Sequence, residues 1–154
     1  MREVAHSLVI NAPPAAVLDA FFDAEALAVW WEVSHAVCIP RPLGSYAVEW
    51  AGTDWRDDVL GPLGGTLHGT VMEFIAGHEF FLADVYWLPP EGNPIGPMAL
   101  EATCTVQGEA TLLRIRQSGY DETNPRWARY YDITSTGWIV ALAALKTYLE
   151  ERWG

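Results

Sequence analysis

Residues 124–152 read NPRWARYYDITSTGWIVALAALKTYLEER, and this stretch decides how the rest of the chain must fold. It opens on Asn124, a capping residue, followed by Pro125, which is tolerated in the first turn of a helix because its missing N–H is not needed there. Beyond it Trp127, Tyr131, Thr134, Trp138, Leu142, Leu145 and Leu149 recur at steps of three and four, so they share one face. The spacing predicts one long helix over residues 123–152. So long an apolar stripe needs a broad partner surface, and the sequence upstream has the pattern of a sheet. Gly137, beside Trp138, is expected to let the helix come close to that sheet.

Working backward, short runs with strand-like composition fall at residues 33–39, 45–51, 66–75, 79–88, 98–106 and 111–119. Breaks rich in Pro, Gly, Asn and Asp separate them, which is the signature of an antiparallel meander. Two breaks are long, residues 52–65 and 89–97, and are candidates for mobile loops at a cavity mouth. Before the meander, Val4, His6, Leu8 and Ile10 alternate as in a first strand. Pro13 and Pro14 end it, Val17, Leu18, Phe21 and Phe22 repeat at helical spacing, and Asp23 can cap a second short helix running to Trp31. The expected order is strand, two short helices, six strands, long helix. This is an α+β plan: a curved antiparallel sheet of roughly seven strands gripping a C-terminal helix.

The chain has 154 residues, which suits one domain covering residues 1–154. Hydrophobic residues make up 51% and charged residues 19%, a composition that folds. Eight Trp, six Tyr and five Phe form a heavy aromatic load, fit for a bulky core or for the walls of a pocket. A net charge of −11 repels phosphate backbones and anionic lipid, so neither nucleic acid nor a membrane surface is an expected partner. No apolar run approaches the ~20 residues of a membrane span, and residues 1–10 lack the pattern of a signal peptide. A soluble, cytoplasmic protein is the expectation. Cys38 and Cys104 sit in separate apolar strands without Cys-x-x-Cys spacing and read as buried free thiols.

The chemistry-bearing residues do not assemble into a familiar motif. His6, His35, His68 and His78 are too scattered to suggest a metal site, no Gly-x-Ser-x-Gly elbow presents a nucleophile, and Gly64-Gly65 lacks the flanking residues of a phosphate loop. No metal and no cofactor are expected.

Strand parity says more. If the charged Glu73 faces water, His68, Thr70, Met72 and Phe74 face inward. By the same argument Phe81, Ala83, Val85 and Trp87 face in opposite Asp84. Leu100, Ala102 and Cys104 face in opposite Glu101, and Leu113, Ile115 and Gln117 opposite Arg114 and Arg116. With Tyr131 and Trp138 from the helix, the expected interior is apolar and aromatic with two polar points, His68 and Gln117. A greasy wall with a few orienting groups is the chemistry of a ligand pocket. The candidate ligand-binding residues are therefore His68, Thr70, Met72, Phe74, Phe81, Val85, Trp87, Gln117, Tyr131 and Trp138.

Several local motifs, taken in order, resemble one known family. They are Ile10-Asn11-Ala12-Pro13 leading to Val17 and Ala20; the pair Trp30-Trp31; Pro42-Leu43-Gly44; His68-Gly69-Thr70-Val71 with Glu73; Thr111-Leu112-Leu113 leading to Gln117-Ser118-Gly119-Tyr120; and Gly137-Trp138 with Leu142, Leu145-Lys146 and Tyr148-Leu149-Glu150. The chain is similar to the AHSA-like group, named for the activator of heat shock protein 90 ATPase, within the SRPBCC (START/Bet v 1-like) superfamily. That resemblance implies the helix-grip fold and a cavity for a small apolar or aromatic molecule, lipid-like or polyketide-like. It also implies two alternatives: a polyketide cyclase-like enzyme using His68 as acid or base, or a domain that binds a chaperone ATPase. A homodimer is a further expectation.

Overall fold

The computed structural model describes residues 2–153. Strand β1 (Glu3–Ile10) leads into helices α1 (Pro14–Asp19) and α2 (Ala24–Trp30). Asp23 caps α2, its carboxylate accepting from the Glu25 amide at 3.3 Å. The meander follows as β2 (His35–Cys38), β3 (Ser45–Trp50), the two-residue strands β4 (Arg56–Asp57) and β5 (Gly61–Pro62), β6 (Gly65–Ile75), β7 (Glu79–Leu88), β8 (Ile95–Gln107) and β9 (Ala110–Ser118). Helix α3 (Pro125–Trp153) closes the fold, with the Asn124 carboxamide oxygen accepting from the Arg126 amide at 2.9 Å.

The main sheet has seven strands in the order β1-β9-β8-β7-β6-β3-β2, all antiparallel. The strand order is the expected meander, with β1 added beside β9. The 52–65 break is not structureless: β4 and β5 pair there as a small hairpin. The 89–97 break is shorter than expected, because Ile95 already pairs with Trp87 and is fully buried at the start of β8.

The core lies between one face of the sheet and the helices. Leu142, Leu145 and Leu149 of α3 are buried, as the helical period predicts. At the end of the molecule formed by α1 and α2, Phe21, Phe22, Tyr46, Phe74 and Phe80 form an aromatic cluster with ring centroids 5.0 to 6.4 Å apart, in which Phe22 meets Tyr46, Phe74 and Phe80 edge to face. The Tyr46 hydroxyl donates to the Phe21 carbonyl at 2.8 Å and the Trp30 indole N–H to the Ala20 carbonyl at 2.8 Å. The buried polar tips of Tyr46 and Trp30 thus both have a partner, as burial demands.

Parity inside β6 and β7 departs from simple alternation. The pairs Leu67↔Trp87 and Val71↔Leu82 are buried, whereas His68↔Tyr86 and Thr70↔Ala83 lie on the opposite face. Register shifts then occur between Val71 and Glu73 on β6 and between Leu82 and Val85 on β7. They mark bulges at Met72 and at Asp84, whose φ is 51°. Each bulge inserts one residue and moves the side chains beyond it to the other face.

Candidate functional site

A cavity of about 490 Å³ lies between the sheet, the N-terminal half of α3 and the segment joining β3 to β6. On the sheet side Trp50, Leu67, Trp87 and Gln117 come from β3, β6, β7 and β9. Helix α3 supplies Tyr130, Ile133, Thr134, Gly137 and Trp138, a run of steps of three, one, three and one that is one helical stripe. Trp31 and Glu32 enter from the end of α2, and Leu60 and Leu63 from the hairpin segment.

The aromatic walls are fixed by hydrogen bonds and stacking. Trp31 stacks flat on Trp30 at 5.0 Å and meets Trp50 edge-on at 5.2 Å and Trp138 at 5.1 Å. Trp50 Nε1 donates to the Trp31 carbonyl at 2.9 Å, tying β3 to the end of α2. Trp87 stacks on Tyr130 at 5.0 Å, and its Nε1 donates to the Gly64 carbonyl at 2.8 Å. These rings are held in place before anything enters.

Gln117 is the buried polar point, 1% exposed. Its Oε1 accepts from Trp138 Nε1 at 2.8 Å, and its Nε2 donates to Met98 Sδ at 3.5 Å. Burial pushes the Tyr130 hydroxyl above the usual phenol range, opposed by hydrogen bonding to Gln117 and Thr134. The cavity floor is therefore a neutral polar cluster of an amide, a phenol and Thr134.

The hairpin segment is latched over the cavity by a group that the sequence reading did not single out. Asp57 Oδ1 accepts from Arg129 Nε at 2.9 Å and pairs with Nη2 at 2.7 Å, while Oδ2 accepts from the Val59 and Leu60 amides at 3.0 Å each. These bonds hold the Asp57 carboxyl at about 2, below its ordinary 3.8, Arg129 and the Leu60 amide contributing most. The only local signal was an Asp two residues before Val59 in a turn. Its Arg partner lies 72 residues away and has no sequence mark.

Of the ten residues named from the sequence, Trp87, Gln117 and Trp138 line the cavity. The structure corrects the placement of several others. His68, Thr70, Met72 and Phe81 lie on the outer face, as does Ala83: His68 stacks on Tyr86 at 5.7 Å and Met72 is 47% exposed. Glu73 faces outward as expected, but the Met72 bulge breaks the alternation that links it to His68 and Thr70, and the bulge at Asp84 does the same for Phe81 and Ala83. Phe74 and Val85 face inward but pack in the core away from the cavity. Tyr131 packs edge-on against Tyr120 at 5.2 Å, and its neighbour Tyr130 occupies the cavity position. Gly137 does not bring α3 against the sheet, since a Cβ built there meets nothing within 4 Å. It borders open space at the cavity wall.

The matched family follows from this fold and its motifs. A model of the family "Activator of Hsp90 ATPase homolog 1-like protein" matches residues 11–150. The chain belongs to that family. Among curated proteins no sequence matches it. Solved structures share the fold at low identity. The crystal structure of protein MLL2253 from Mesorhizobium loti is 20% identical, with 98% of each chain covered and a TM-score of 0.74. The Aha1 dimer from Colwellia psychrerythraea, solved in solution, is 19% identical over 100% of both chains, with a TM-score of 0.68. DynU16, from the dynemicin biosynthetic locus, is 21% identical over 96% of this chain and 47% of its own, with a TM-score of 0.66. No helix among the described residues is long and apolar enough to cross a membrane.

Proposed function

We propose that this protein binds a small molecule with an apolar, aromatic body in the cavity between sheet and α3. The carrying observation is an aromatic-walled space of about 490 Å³ with one buried, pre-oriented polar cluster at Gln117. Ligand pockets commonly span roughly 300–1,000 Å³ and have this balance of apolar wall and sparse polar groups. A ligand losing ~300 Å² of apolar surface gains roughly 7 kcal/mol gross, and association costs reduce that to micromolar-like affinity. The likeness to a protein of a biosynthetic locus supports a small-molecule role.

A cyclase-like reaction using His68 has no geometry here, because that imidazole stands on the outer face beside Tyr86. The test uses native mass spectrometry of the purified protein and solvent extraction of anything bound, for wild type and for Gly137→Leu. The leucine would project from the cavity wall, where a Cβ meets nothing within 4 Å, and would add roughly 1 kcal/mol of helix propensity. Adducts or probe binding in wild type, lost in a variant that is no less stable, support the reading. Probe binding that is indifferent to Gly137→Leu overturns it.

A further inference from the structure

Of all the residues lining the cavity, only Glu32 is charged, and no Lys, Arg or His joins it. Glu32 takes part in no ion pair or hydrogen bond among the described residues. Its backbone is also unusual. It follows the last turn of α2 with φ 56°, a left-handed conformation that favours Gly or Asn at a helix end. The reversal itself explains the φ; it does not explain a carboxylate there. A charged side chain in a position suited to glycine is a local cost that points to a use for the side chain.

The surroundings suit one sign of charge. Trp31 and Trp50, both half-buried, flank the same end of the cavity as Glu32, and aromatic faces attract cations through their quadrupole. The net charge of −11 adds a long-range field of the same sign. An anionic ligand would meet a lone carboxylate and no compensating base.

Resting on the cavity reading above, we infer that the ligand is an amphiphilic amine: an apolar, aromatic body enclosed between sheet and α3, and a cationic nitrogen at the mouth between Glu32 and the Trp31 and Trp50 rings. The neutral amide and phenol at the floor take the far end.

Three isosteric probes test this in displacement titrations on the full chain: naphthylmethyl-trimethylammonium, its neutral tert-butyl isostere, and naphthylmethanesulfonate. The cation should bind roughly ten-fold more tightly than the neutral isostere, with the sulfonate weakest. Glu32→Gln and Glu32→Gly should each remove about three- to ten-fold of the cation's affinity and leave the neutral probe unchanged. Glu32→Gly should also keep or raise the melting temperature, since glycine accepts the positive φ. Equal binding of cation and isostere, or a preference that survives both substitutions, overturns the inference and leaves the cavity reading standing. Failure of all three probes overturns both.

Discussion

The indole N–H of Trp138 donates to the Gln117 carboxamide oxygen at 2.8 Å, joining the middle of α3 to the end of β9. Both residues are at least 97% buried, so this bond is a polar link between helix and sheet that is shielded from water. A buried donor left without its acceptor costs more than the bond itself contributes.

Replacing Gln117 by Leu should therefore destabilise the protein by about 1–3 kcal/mol. Urea unfolding of Gln117→Leu, Trp138→Phe and the double variant would measure it. The double variant should be less destabilised than the sum, because removing both groups leaves neither member of this pair without the other. Strict additivity would show that the two side chains do not couple.

The Asp57–Arg129 latch makes a pH prediction. The Asp57 carboxyl is held at about 2, below its ordinary 3.8, so folding favours the ionised form. Its contribution is complete above the unfolded value and is lost as pH falls through the folded one. Stability against pH should decline between about 4 and 2, and Asp57→Asn should flatten that part of the curve. Limited proteolysis of the same variant should cut within residues 52–65 faster than in wild type, since the Val59 and Leu60 amides lose an ionised acceptor.

His68→Leu should leave cavity-probe affinity within about two-fold of wild type, because the imidazole stacks on Tyr86 outside the cavity. A ten-fold loss would mean that the outer face communicates with the site.

Leu43 and Gly44 should respond in opposite directions. Leu43 is 78% exposed with φ 65°, so Leu43→Gly relieves a left-handed conformation and should stabilise by about 0.5 kcal/mol after the glycine's entropy cost. A Cβ on Gly44 would sit 2.5 Å from the Ile39 carbonyl oxygen, so Gly44→Ala should destabilise by at least ~1 kcal/mol. Melting curves of both variants decide the matter.

The two cysteines should be slow to alkylate. Burial pushes the Cys38 thiol up to about 11 and the Cys104 thiol up to about 12, leaving little thiolate at pH 8. Intact mass after brief iodoacetamide treatment should show unmodified native protein and two adducts after unfolding in urea.

Much of the architecture was legible in the residues themselves. The caps at Asp23 and Asn124, the three-and-four spacing through Trp138 to Leu149, and the turn-rich breaks each act over a few neighbours, and such signals survive in one dimension. Where a strand ran without interruption, as from Leu113 through Ile115 to Gln117, alternation also told which side chains face the core. The bulges at Met72 and Asp84 were decided by pairing between strands. The outward side of these strands carries Met72 and Phe81 beside apolar inward residues, so the alternation had no clear polar face to reveal the flip. The cavity was likewise a tertiary outcome. Tyr130 rather than Tyr131 reaches it because a helix 29 residues long fixes its rotation by the whole stripe packed on the sheet. Asp57 and Arg129 meet across 72 residues only once β4 and β5 fold back over α3. The sequence alone determined the long helix, the main strands and their order, because propensity and periodicity are local; the β4–β5 pairing, which faces meet, and hence where the cavity and its one unpaired carboxylate lie, only the packed structure decided.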